Sequence, residues 1–107
     1  MQVTGRHYRM GGVVRVRAEA GRIVSLETID ADAGSVPWLA PGLVDAQVNG
    51  FGGVDFNRPN LSPAEWAHAC EALYAHGCTR FLAALITHAA EDYGGLLRGL
   101  AARRNAT

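Results

Sequence analysis

The rhythm of apolar and polar positions changes near residue 41. Before that point the period is two. Val14, Val16 and Ala18 alternate with Arg15, Arg17 and Glu19, which predicts a strand with one covered face. Ala20-Gly21-Arg22 carries a turn signal and residues 23–29 read as a second strand, so the pair predicts a hairpin. Residues 30–37 form a polar, glycine-containing connector. Trp38, Leu39 and Ala40 predict a short third strand leading into Pro41. Beyond Pro41, strand and helix patterns alternate. Leu43, Asp45, Gln47 and Asn49 share one face of a strand, and Val44, Ala46 and Val48 share the other. Gly50, Gly52 and Gly53 then allow a sharp bend just past the strand's C-terminal end.

Ser62 is a good helix N-cap, Pro63 suits the first helical position, and Glu65 completes a capping box. Trp66, Cys70, Leu73, Tyr74 and Gly77 recur at helical spacing and predict the buried face, with Glu65, His68 and Glu71 directed away from it. Gly77 marks the stop. The continuous apolar run 81–86 predicts a parallel strand covered on both sides. Residues 89–104 predict a second helix, weakened by Gly94, Gly95 and Gly99. A small β unit followed by β-α-β-α defines an α/β chain with parallel strands and right-handed crossovers.

Composition narrows the possibilities. A chain of 107 residues suits one small domain burying roughly two thirds of its unfolded surface. A (β/α)₈ barrel takes about 250 residues. Ten basic residues, all Arg, balance ten acidic ones, which leaves no electrostatic footprint for nucleic acid or an anionic membrane. No apolar run approaches the ~20 residues of a membrane span, and the N-terminus lacks a secretory pattern, so a cytoplasmic location is expected. Cys70 and Cys78 form no CxxC pair and read as small buried thiols.

Asp45, Gln47 and Asn49 on one strand face are costly to bury without partners, so that face meets water or lines a polar site. Asp45 reads first as a carboxylate bonded to backbone amides near the turn. Asp55 and Asn57 suit either a loop over a site or a surface turn pair. Phe51 and Phe56 read as local packing. His7, His68, His76 and His88 do not cluster. His88 follows the second strand of the α/β region and is near enough in sequence to approach its mouth, although a helix-start or surface role is commoner. Ser-His-Asp order, a phosphate loop and His-Glu-x-x-His are all missing, and 50–53 lacks GxGxxG spacing.

Residues 41–57 also resemble the opening barrel strand of the N-acetylglucosamine-6-phosphate deacetylases, within the amidohydrolase superfamily. Most of that superfamily carries a metal-binding His-x-His pair here. One deacetylase branch carries Gln-x-Asn followed by Gly and a Gly-Gly-Val stretch. This chain has Gln47 and Asn49, then Gly50, then Gly52-Gly53-Val54. The resemblance implies a β-sandwich segment over residues 1–40, followed over 41–107 by the first two β/α units of an incomplete TIM-type barrel. The chain is thus expected to be an N-terminal fragment of a longer enzyme.

The complete enzyme is implied to use a divalent metal, zinc in the first instance, whose bound water attacks the acetamide. An Asp shuttles the proton, and acetate and glucosamine 6-phosphate leave. Its partners would be an amino-sugar phosphate substrate and a second copy in a homodimer, with neither nucleic acid nor membrane. Neutral amides are poor zinc ligands. Gln47 and Asn49 are therefore expected to line the site and hydrogen-bond a ligand, a water or a neighbour rather than hold metal. Asp45 matches an acidic position of the superfamily. The metal-binding Glu and histidines and the catalytic Asp belong to later segments. This chain alone is therefore expected to hold no metal, to carry no catalytic residue and to be inactive. Two alternatives stand beside this reading: an amidohydrolase of the cyclic-amide type, and a non-enzymatic binding module.

Overall fold

A computed structural model of the chain describes residues 1–104. It divides into two compact units, Met1–Pro41 and a second from Gly42 onward.

The first unit is one four-stranded sheet. Its strands are β1 (Gln2–His7), β2 (Val13–Glu19), β3 (Arg22–Thr28) and β4 (Trp38–Leu39), in the order β3-β2-β1-β4. The alternation in β2 and the turn after it form the predicted hairpin. Glu19 faces Arg22, so Ala20 and Gly21 alone make the loop. Both have positive φ, 47° and 74°, the geometry that matches strand twist in two-residue hairpins. β1 has no signature in the sequence, because Gly5 interrupts it and its polar residues do not alternate. Partners create it: β2 runs antiparallel on one edge and β4 parallel on the other. A Cβ at residue 5 would lie 2.8 Å from the Pro37 carbonyl oxygen and 2.9 Å from Leu39 Cβ, so glycine is what admits β4. All four strands join edge to edge, and the described residues of this unit supply no second facing sheet. The sandwich expected over residues 1–40 is therefore represented by a single layer.

The second unit contains β5 (Leu43–Val48), the two-residue strands β6 (Gly50–Phe51) and β7 (Val54–Asp55), α1 (Pro63–Ala75), β8 (Cys78–Ala83) and α2 (Ala90–Arg104). β5 and β8 pair in parallel, as the alternation of strand and helix predicts, and β6 and β7 form a small antiparallel ribbon. α1 begins with the predicted box: the Glu65 N–H donates to Ser62 Oγ at 3.2 Å, and the Ser62 N–H donates to Glu65 Oε2 at 2.9 Å. Pro63 opens the helix, His76 caps it, and Gly77 leaves it at φ 82°.

Trp66, Ala69, Cys70 and Leu73 form the buried stripe of α1. With Val48, Phe56, Leu61 and Cys78 they make the core, against which Phe81, Ala83 and Leu100 pack. Phe56, Trp66 and Phe81 meet in a ring cluster with centroids 4.9, 5.7 and 6.1 Å apart. Burial raises the Cys70 thiol above its ordinary pKa, and the nearby Glu71 carboxylate adds to this, so Cys70 behaves as an apolar group.

Two expectations change. Tyr74 is 56% exposed and Ala69 takes its place in the core, because the stripe follows the i, i+3, i+4, i+7 positions from Trp66. The apolar run 81–86 is not a strand covered on both sides. β8 starts earlier, at Cys78, ends at Ala83, and leaves Leu82 64% exposed. Among the described residues β8 pairs only with β5, and its second edge has no strand beside it. The described residues do not close a barrel.

Candidate functional site

The polar face expected at the end of β5 is organised around one side chain, Asn57, which is 6% exposed. Its Nδ2 donates to the Asn49 carbonyl at 3.1 Å and to Asp55 Oδ1 at 2.9 Å. Its Oδ1 accepts from the Ile86 N–H at 2.8 Å. Two acceptors on one side and a donor on the other fix which way the amide points. Asn57 thus binds the exit of β5, the ribbon and the segment after β8 together. Asn49 adds a second tie, its Nδ2 donating to the Ala84 carbonyl at 3.1 Å, while the Ala84 N–H donates to the Val48 carbonyl at 2.9 Å. The Asn49 carbonyl also accepts from the Phe56 N–H at 2.9 Å.

Asp55 closes an Asx turn, its Oδ1 accepting from the Asn57 N–H at 2.8 Å. These bonds from Asn57 hold the Asp55 carboxyl below its ordinary pKa, with lesser help from the charges of Arg58 and His88. An open depression of about 470 Å³ lies here, lined by Asn49, Phe51, Val54, Asp55, Asn57 and Ile86 among others.

The residues singled out in the sequence separate at this point. Asn49 is half-buried and lines the depression. Gln47 is exposed and is not among the lining residues, and its N–H donates to Asp45 Oδ1 at 3.0 Å. Asp45 is therefore a carboxylate that accepts from a backbone amide, within β5. Phe56 is a core residue at 1% exposure, and Phe51 packs beside that core. His88 stands at the end of β8's exit segment, with its ring edge-on to Tyr93 at 6.1 Å and its Nε2 buried and unpartnered among the described residues. His7 accepts from the Arg9 and Met10 N–H groups through Nδ1, in the turn after β1. His68 lies on α1 and His76 is its C-cap. The hub role of Asn57 escapes sequence reading, since its partner Ile86 lies 29 positions away. The one local signal is the Asp-x-Asn spacing of residues 55 and 57.

A structural or catalytic divalent metal such as zinc needs at least three donor side chains at one place. The Nδ2 of Asn49 donates to a carbonyl, and among the described residues no three His, Cys, Asp or Glu side chains come together. The described residues do not fit a metal cage. No helix among the described residues is long and apolar enough to cross a membrane.

The fold is a mixed α/β chain whose second unit carries an open depression, edged by Asn49, Asp55 and Asn57, at the C-terminal end of two parallel strands, the end where such sheets place their sites. No family model matches it. It is similar to the N-acetylglucosamine-6-phosphate deacetylase of Caenorhabditis elegans, 38% identical over 63 residues, and to that of Rattus norvegicus, 40% identical over 60 residues. Each match covers 55% of this chain and 15% of the relative. Its fold is that of part of the crystal structure of N-acetylglucosamine-6-phosphate deacetylase from Pasteurella multocida, with a TM-score of 0.73 at 18% identity, over 100% of this chain and 31% of that one. The resemblance to an N-terminal portion of this larger enzyme, carried in the sequence by Gln47, Asn49 and the glycines after them, stands.

Proposed function

We propose that the chain forms the opening part of a metal-dependent amidohydrolase that removes the acetyl group of an amino-sugar phosphate. In this reading, β5-α1 and β8-α2 are the first two β/α units of a TIM-type barrel. The observation that carries it is the 38–40% identity to two deacetylases. The parallel β5–β8 pair with α1 between its strands supports it from the side of architecture.

Within that enzyme these residues shape and orient rather than react. Asn49 and Asn57 hold the rim of the mouth. The exposed amide of Gln47 offers a donor and an acceptor, which complement the C=O and N–H of an acetamido group. In this reading zinc or another divalent ion is held by side chains of a longer protein, since no three His, Cys, Asp or Glu side chains come together among the described residues. The chain alone is inactive in this reading.

Two measurements test it. The purified chain, given N-acetylglucosamine 6-phosphate and zinc, should release no acetate, and clear turnover overturns the partial-enzyme reading. A chimera in which the chain replaces the matching segment of the nematode deacetylase should release acetate. Gln47→Ala in that chimera should lower kcat/KM by about tenfold, the loss of one polar contact. An inactive but folded chimera, or one indifferent to Gln47, argues against the assigned role.

A further inference from the structure

The ribbon of residues 50–55 rests on a stripe of α1 that is separate from the helix's core face. His68, Ala72 and His76 are spaced i, i+4, i+8 and therefore align along one side. Nε2 of His68 lies 3.2 Å from the Gly52 carbonyl oxygen. A carbonyl only accepts, so His68 must carry its proton on Nε2 and donate it. A methyl built at Gly52 would lie 3.1 Å from Ala72 Cβ, so the ribbon tip sits directly on the helix. The His76 ring meets Phe51 edge-on at 5.4 Å, and its Nδ1–H donates to the Ala72 carbonyl at 2.8 Å, which fixes the ring's direction. At its other end the ribbon runs into Asp55 and Asn57, the groups that define the rim.

We propose that His68 is a positioning residue, which acts through the Gly52 carbonyl to fasten the ribbon to α1 and so holds the Asn49–Asn57 rim in place. The ribbon is then a fixed wall of the mouth, anchored at its tip by His68 and at its base by Asn57. Its consequence for a substrate rests on the deacetylase reading above, whereas the fastening itself does not.

The test uses the chain as it is and needs no turnover. Nitrogen-15 NMR of the wild type, at a pH where imidazoles are neutral, should show His68 protonated at Nε2, and the Nδ1–H tautomer overturns the proposal. Amide hydrogen exchange then compares His68→Leu with His68→Gln. Both are good helix formers, but only the glutamine Nε2 reproduces the donor near the imidazole Nε2 position. In His68→Leu the ribbon amides should exchange roughly three- to tenfold faster, with β5 and β8 unchanged, and His68→Gln should restore most of the protection. Equal ribbon exchange in all three proteins overturns the proposal. An inactive chimera with normal ribbon protection would count against the deacetylase reading alone.

Discussion

Asn57 shows how much a single buried amide can organise. It serves two acceptors and one donor drawn from three segments, and truncating it removes all three bonds and leaves the Ile86 N–H without its partner. Asn57→Ala should destabilise the chain by about 1–3 kcal/mol, measured by urea unfolding. Asn57→Asp should cost more at neutral pH than at pH 3, because it sets a second carboxylate against Asp55, and protonation relieves that repulsion. Asp55 has its own acid signature. Its folded-state pKa lies below the ordinary value of 3.8, so the stability it lends is complete above that value and fades as pH falls below it. Asp55→Asn should flatten that part of the stability–pH curve. Little of this was legible in the residues themselves. Asp55-Phe56-Asn57 looks the same in a solvated turn, and only the return of the chain after β8 brings the Ile86 N–H to the amide.

Helix α1 is the element written most fully in the sequence. Ser62, Pro63 and Glu65 each do locally what their types do at a helix start, and Gly77 supplies the positive φ that ends it. Ser62→Ala should cost about 1 kcal/mol in thermal or urea unfolding. Glu65 accepts from the Ser62 backbone and hydroxyl and pairs with Arg58. These contacts, the Ser62 backbone bond first, lower its pKa from 4.5 to about 2. The folded pKa is depressed, so the contribution is present above pH 4.5 and is lost as pH falls toward 2. A wild-type acid limb in that window, absent from Glu65→Gln, checks it. The hairpin β2–β3 is equally local, but it carries strain: Ala20 sits at φ 47°, a region that favours glycine or asparagine. Ala20→Asn should raise stability by about 0.5–1 kcal/mol, read as a higher urea midpoint. β1 was illegible because its existence depends on edges offered by β2 and β4 rather than on its own pattern.

At the scale of the molecule, the second unit keeps an apolar surface that a small α/β domain would ordinarily cover. Leu43, Val44 and Leu82 are 63%, 68% and 64% exposed, and a groove of about 710 Å³ runs between α1, β8 and α2. The sequence run 81–86 looked like a strand covered on both sides, and its apolar character is real. What is absent among the described residues is a neighbour on β8's second edge. Such a surface binds apolar dyes. The chain should enhance the fluorescence of anilinonaphthalene sulfonate under native conditions, and Leu82→Lys with Val44→Lys should reduce that signal without shifting the unfolding midpoint by more than about 0.5 kcal/mol. A dye signal unchanged by the two substitutions would show that the dye does not bind this face.

By itself the sequence determined whatever rests on neighbours within a few positions: the period-two hairpin, the capped helix with its core stripe, the order of strand and helix, and the amide-and-glycine stretch that marks the likeness to a deacetylase. Tertiary structure decided what depends on distant segments meeting. It made β1 a strand, ended β8 at Ala83, made Asn57 the hydrogen-bonded hub beyond the end of β5, and turned His68 toward Gly52. The reason is physical. Propensity and capping act over one or two turns of chain, while burial and the pairing of buried polar groups are settled only when the chain folds back on itself.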